Sequence, residues 1–302
     1  MNTSEFLNIS NLIVPDRTAI IYEGQKTSYS DLFNRVLALA NSLKNKGLKS
    51  GDRIATIEVN CPAHIELYFA SAFLDLIYVP LNFRSTKDEL GHMLKDASPK
   101  IIFSGIRYVS MINSLKQGLS SVEDFFTLES NADGWLEYES LISNSNVLEI
   151  IPESSDDDLT MLMFRSGTTG FPKGVMLSHE SFSSYILANV NPADMDLEER
   201  NILTVPLYHI AGVQAFMAAI YGGRTLIIQK QFNPDQWMEL VQKEKANRAM
   251  MVPTMLKMII DHPEFTSYNL SSLKVITYGA APMPLEVIKK AIELFGDTHF
   301  IN

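Results

Sequence analysis

The sequence predicts an α/β fold: stacked, mostly parallel sheets with helices on both faces. Three observations carry that expectation. Strand-like and helix-period segments alternate along the chain, the pattern of parallel strands joined by right-handed crossovers. The 302 residues, 46% hydrophobic and 20% charged, have an ordinary globular composition and can bury a large core split into two or more subdomains. A polar, glycine-rich run follows an apolar strand directly, at the carboxyl end where such sheets hold ligands.

The elements follow in order. Residues 31–46 place Leu32, Val36, Leu39, Ala40 and Leu43 on one helical face, with Ser30 as the expected N-cap and Gly47 closing the helix. A strand is expected at 53–59, an apolar helix from about 63 to 76, and a buried strand at KIIFSG, 100–105. Between these, Thr86 and Glu89 have the spacing of a capping box. A polar stretch ending in Asp156–Asp158 separates a first half, 1–150, from a second, 159–302. The second half has expected strands near 159–164, 201–205, 224–229, 248–252 and 273–278, with helices starting near Ser178, Ile210, Pro234 and Thr254. Asn233-Pro234 reads as a cap followed by proline at the first helical position, where its missing N–H costs nothing.

Charge and cysteine usage narrow the function classes. A net charge of −10 argues against nucleic acid or an anionic membrane surface as the main partner. Cys61 is the single cysteine, so no intrachain disulfide forms; a buried thiol in a reducing cytoplasm is the expectation. The opening MNTSEFLNIS has no signal-peptide pattern, and no apolar run approaches the roughly 20 residues that span a bilayer. A cytoplasmic protein, not integral to a membrane, is expected.

The run FRSGTTGFPKG, 164–174, holds the chemistry. A loop that binds nothing loses conformational entropy for little return. One that wraps phosphate oxygens uses each residue type here: glycines let backbone N–H groups approach an anion, hydroxyls add donors, Lys173 supplies compact positive charge and Pro172 stiffens the approach to it. The nearest general template, G-x-x-x-x-G-K-[ST], fails twice, at Pro172 and Gly174. A nucleoside-triphosphate hydrolase of that type is therefore disfavoured.

Ser166-Gly167-Thr168-Thr169-Gly170 followed by Pro172-Lys173-Gly174 resembles the phosphate loop of adenylate-forming enzymes, the superfamily of acyl-CoA synthetases, luciferases and peptide-synthetase adenylation domains. PDRTAII, SGDRIA, VPLYHIAG, VPTML and LKVITYGAAPMP resemble further family segments in the expected order. The resemblance implies that residues 1–302 are the N-terminal AMP-binding domain, incomplete at its C-terminal end and without the mobile C-terminal domain. It implies an acid–CoA ligase: ATP and a carboxylate give an acyl adenylate and pyrophosphate, and the acyl group passes to coenzyme A. Magnesium is expected with ATP. Ser166, Gly167, Thr168, Thr169, Gly170 and Lys173 are assigned to the phosphates, with Thr169 and Lys173 as catalytic groups. Gly279, Ala280, Ala281 and Pro282 are placed against adenine, and His209, Tyr278 and Gly279 against the acyl group.

Two departures refine this. Arg165 stands where the family carries Thr or Ser, a hydroxyl associated with the magnesium–phosphate cluster, and a guanidinium cannot ligate a metal. It either touches phosphate or turns toward Asp156–Asp158. PLYHIAG also lacks the aspartate that pairs a substrate ammonium in amino-acid-activating relatives, which favours a fatty or aromatic acid. The methionines of MMVPTMLKM either fill core or line a variable acyl site. The alternative is a nucleotide-binding module without catalysis. A homodimer is the expected assembly if the chain self-associates, and this stretch alone is expected to be inactive.

Overall fold

Two sheets take up the strand segments, and both are connected in the same order. The computed structural model describes all residues except Asn144, Asn146, Thr168 and Thr169, and of Ser166 and Gly167 the backbone only. The chain divides into two compact units, one of Met1–Asn8 with Ser30–Asn189, the other of Ile9–Tyr29 with Val190–Asn302.

The strands run in chain order from β1 (Thr18–Tyr22) and β2 (Gln25–Ser28) through β3 (Arg53–Ile57), β4 (Ile77–Pro80), β5 (Ile101–Ser104), β6 (Asp124–Thr127) and β7 (Leu136–Glu137). Then come β8 (Leu159–Gly167), β9 (Gly170–Ser178), β10 (Arg200–Leu203), β11 (Thr225–Ile228), β12 (Arg248–Met251), β13 (Val275–Tyr278) and β14 (His299–Ile301). The helices are α1 (Ser4–Ile13), α2 (Tyr29–Asn45), α3 (Pro62–Phe73), α4 (Lys87–Ala97), α5 (Val109–Asn113) and α6 (Tyr138–Ser143). They continue with α7 (His179–Asn189), α8 (Ile210–Tyr221), α9 (Pro234–Glu244), α10 (Pro253–Ile260) and α11 (Leu285–Phe295).

In the first unit the strand order is β7-β6-β5-β3-β4-β8-β9; in the second it is β14-β13-β12-β10-β11-β1-β2. Each sheet therefore has five parallel strands plus a hairpin whose first arm is parallel to the sheet and whose second is antiparallel. The mostly parallel α/β class read from the sequence is the one observed. From β10 the chain moves to one side for β11 and then back across to the other side for β12. Right-handed crossovers in opposite directions put α8 and α9 on opposite faces of the sheet. In the second unit Ile202, Ile227, Ala249 and Ile276 of the strands share one core with Trp237, Val241, Leu256, Ile259 and Ala291 of α9, α10 and α11.

Local signals explain several boundaries. Thr86 and Glu89 form the reciprocal capping box, with the Thr86 N–H donating to Glu89 Oε2 at 2.8 Å. Asn233 Oδ1 accepts the Gln236 N–H at 2.9 Å, ahead of Pro234. Both arms of the β1–β2 turn lie at positive φ, Glu23 at 49° and Gly24 at 81°, the twist a two-residue hairpin needs.

Three expectations are revised. The helix read from Asp31 begins at Tyr29, so Ser30 lies inside it; the buried Tyr29 hydroxyl donates to the Arg224 carbonyl at 2.7 Å and holds the first turn. The compact units are not the sequence halves 1–150 and 159–302. The β8–β9 hairpin continues the first sheet beside β4, and β1–β2 continues the second beside β11, so the chain exchanges segments between them. Finally, the polar run after Phe164 is not one loop. β8 continues to Gly167, and β9 starts at Gly170 as the edge strand, where Pro172 lacks no needed donor.

Candidate functional site

The first unit supplies a hairpin with a cationic end. Along β8, Thr160, Met161, Met163 and Phe164 are buried. Arg165 and Lys173 are both exposed and stand directly across from one another in the β8–β9 register. Gly170 has φ 140°, a conformation that favours glycine and begins the return arm. Thr168 and Thr169, assigned above to phosphate, lie outside the described residues. Ser166 and Gly167 close β8 by their backbone; the Ser166 side chain lies outside the described set as well.

Helix α4 buttresses the return arm. The His92 and Phe171 rings stack with centroids 4.8 Å apart. The α4 N-terminus is fixed by the Thr86 capping box, so the helix presents His92 from a rigid base. The sequence reading missed this support, because nothing in the spacing of 87–97 and 164–174 ties one to the other.

The second unit supplies the carboxyl ends of β10, β12 and β13. Strand order reverses between β10 and β12, which makes their divergence a crevice of the kind that holds ligands in open α/β sheets. His209 lies just beyond β10, exposed, as the extended N-cap residue of α8. Its ring meets that of the buried Tyr208 at a centroid distance of 4.4 Å. Gly212 makes this turn feasible: a Cβ there would sit 2.3 Å from the Pro206 carbonyl oxygen. On the far side of β12, Tyr278 ends β13 in register with Met251 and is half-buried. Gly279, Ala280, Ala281 and Pro282 follow in the turn, with Ala280 at φ 64° and residues 280–282 exposed. A non-glycine residue in the left-handed region marks stored backbone strain, a feature that clusters at binding sites.

Residues 165–174 thus belong to one unit, and His209 with residues 278–282 to the same end of the sheet in the other. Among the described residues no group of three His, Cys, Asp or Glu side chains could hold a metal ion. Among the described residues no helix is long and apolar enough to cross a membrane. Cys61 is buried and its thiol is pushed up to about 12, first by burial and then by Glu58, so it is an inert thiol rather than a nucleophile.

One sheet carries a glycine-rich cationic hairpin and the other a strained turn beyond a strand, the features expected of the adenylate-forming class. Residues 13–302 match the family model for AMP-binding enzyme, and the chain belongs to that family. It is 27% identical to an indoleacetate–CoA ligase of Aromatoleum aromaticum over 99% of this chain and 60% of the relative. It is 30% identical to a feruloyl-CoA synthase of an Amycolatopsis species over 92% of this chain and 54% of the relative. The inhibitor-bound crystal structure of the N-terminal domain of FACL13 from Mycobacterium tuberculosis superposes with a TM-score of 0.88 at 25% identity, over 97% of this chain and 73% of that one. The chain spans between half and two thirds of the length of the curated relatives named here.

Proposed function

We propose that this chain holds ATP and a carboxylic acid for an acid–CoA ligase, whose reaction forms an acyl adenylate and then a coenzyme A thioester. The observation that carries the reading is the hairpin of 165–174, with its paired cations and glycine turn, in a chain whose relatives are named for CoA ligation. A carboxylate is a poor electrophile because its leaving group would be oxide; esterification to the α-phosphorus of ATP makes that oxygen part of a good leaving group. The protein's share is to neutralise phosphate charge and align the carboxylate oxygen.

In this reading Lys173, Gly170 and the Ser166–Thr169 segment bind the β- and γ-phosphates, and Lys173 and Thr169 stabilise charge as pyrophosphate leaves. Gly279, Ala280, Ala281 and Pro282 border adenine; His209, Tyr278 and Gly279 border the acyl group. Magnesium enters with the nucleotide, and no residue of this chain is assigned to it. The substrate is an aromatic or fatty acid. PLYHIAG has no carboxylate to pair a substrate ammonium, and the two relatives, an indoleacetate–CoA ligase and a feruloyl-CoA synthase, are named for aryl acids.

Acid-dependent ATP–pyrophosphate exchange, run over a panel of aryl and fatty acids, tests this. Exchange that appears only with an acid supports the ligase. ATP binding with no exchange for any acid, even with the remaining part of a relative-length chain supplied, would favour a nucleotide-binding module instead.

A further inference from the structure

The hairpin puts two positive charges side by side. Arg165 of β8 and Lys173 of β9 are directly opposed in the antiparallel register. Opposed residues of such a pair share one face, with Cβ atoms about 5 Å apart, and like charges there are destabilising. Among the described residues neither side chain has an ion-pair partner, and both are exposed. Asp96 of α4 lies beside this arm, its Oδ2 3.6 Å from where a Cβ on Gly174 would be, and is ion-paired with neither.

The acidic run does not answer the pair either. β8 starts at Leu159, just after Asp158, and at about 3.3 Å per residue Arg165 lies on the order of 20 Å from that aspartate. Asp158 accepts the Ser155 N–H at 2.7 Å, and Asp156 pairs with the N-terminal ammonium at 3.0 Å. A juxtaposition of two cations that the protein leaves unneutralised is suited to an anion of high charge density.

We propose that Arg165 and Lys173 together form a two-cation clamp for the polyphosphate chain of the nucleotide. The guanidinium takes phosphate oxygens as a planar fork, and the ammonium acts as a compact point charge. This rests on the reading of the hairpin as the phosphate grip, and it adds a second cation at the position where the family carries a hydroxyl. The consequence is specific: Arg165 supplies charge by direct contact, so tight phosphate binding depends less on a metal ion than a hydroxyl at 165 would allow.

The test is calorimetric titration of ATP, and separately of inorganic pyrophosphate, into the 302-residue chain with EDTA and then with magnesium. Arg165→Thr is expected to weaken metal-free binding of both ligands about tenfold or more, the scale of one lost charge-assisted hydrogen bond. Arg165→Lys is expected to lose less, since charge survives and only the fork is lost. With magnesium present the Arg165→Thr loss shrinks. Removing one of two like charges also leaves the unliganded Arg165→Thr chain melting no lower than the parent. If Lys173→Ala weakens binding and Arg165→Thr does not, the clamp is overturned while the phosphate hairpin stands. If neither variant changes binding, the phosphate reading of the hairpin falls with it. An Arg165→Thr chain that melts well below the parent would assign Arg165 a structural role and overturn the clamp.

Discussion

The imidazole of His92 lies nearly flat on the ring of Phe171, centroids 4.8 Å apart and planes 22° from parallel. This stack joins a capped helix to the residue two places before Lys173, in an arm that forms the edge of its sheet. Ring pairs of this kind contribute about 0.5–1.5 kcal/mol beyond burial. His92→Ala is therefore expected to speed hydrogen exchange of the β9 amides from Phe171 to Val175 several-fold, while the global melting temperature changes little. His92→Phe is expected to restore protection. Unchanged exchange in His92→Ala would show that the stack holds nothing in place.

Gly105 follows β5 where the buried Glu58 carboxylate crosses it. A Cβ on Gly105 would lie 1.3 Å from Glu58 Oε2, so any side chain must displace the carboxylate, whose other oxygen accepts the Val59 N–H at 2.7 Å. Gly105→Ala is expected to destabilise the chain by about 2 kcal/mol or more, the upper range for overpacking a well-filled interior. The paired change Glu58→Ala with Gly105→Ala should cost less than the sum of the two single changes, since the clash disappears with the carboxylate. Urea melts of the four proteins measure this, and strict additivity would refute the steric account.

Much of this architecture is legible in the sequence because the signals are local. Thr86 with Glu89, Asn233 with Pro234, and the apolar runs of β5 and β11 each announce an element through chemistry within a few residues. β9 is not legible in that way. Gly170, Pro172 and Gly174 oppose strand propensity, and only pairing to β8 along an edge makes the segment a strand. The same cause hid the opposition of Arg165 and Lys173: they stand eight positions apart in sequence, and register, a tertiary fact, brings them together. The exchange of segments between the two units was hidden too, since β1 and β8 choose their sheets through pairings to β11 and β4.

Two buried histidines set an acid limit on stability. His64 Nε2 faces the Glu58 carbonyl at 3.1 Å and so carries the proton, leaving Nδ1 to accept from the Tyr78 hydroxyl at 2.7 Å. His179 Nδ1 accepts the Thr3 N–H at 3.1 Å. Burial lowers both to about 4, against an ordinary 6.5; Asp75 opposes the shift at His179 without cancelling it. Between pH 6.5 and 4 the unfolded chain therefore binds protons that the folded chain refuses, so folding stability falls as pH falls through that window. The slope is about 1.4 kcal/mol per pH unit for each histidine. Urea melts between pH 6.5 and 5 should show this loss, and His179→Gln should remove about half of it. A flat profile across the window would mean that neither imidazole is held neutral by the fold.

Gly279 gives a way to separate a binding role from a structural one. It follows β13 in the turn whose next residue, Ala280, is at φ 64°, yet Gly279 itself is not at positive φ. A Cβ added there would meet no described atom within 4 Å. Neither backbone strain nor crowding by described residues asks for glycine at this position, which suits the proposed close approach of a bound ligand to this turn. Gly279→Ala should leave the urea midpoint within the small range of surface changes, about 0.5 kcal/mol. The same variant should weaken nucleotide or acid binding measurably, because the added methyl projects into space the ligand needs. A still larger side chain, Gly279→Val, should extend the binding loss without a matching loss of stability. Binding that survives both substitutions would place the ligand away from this turn and remove Gly279 from the proposed site.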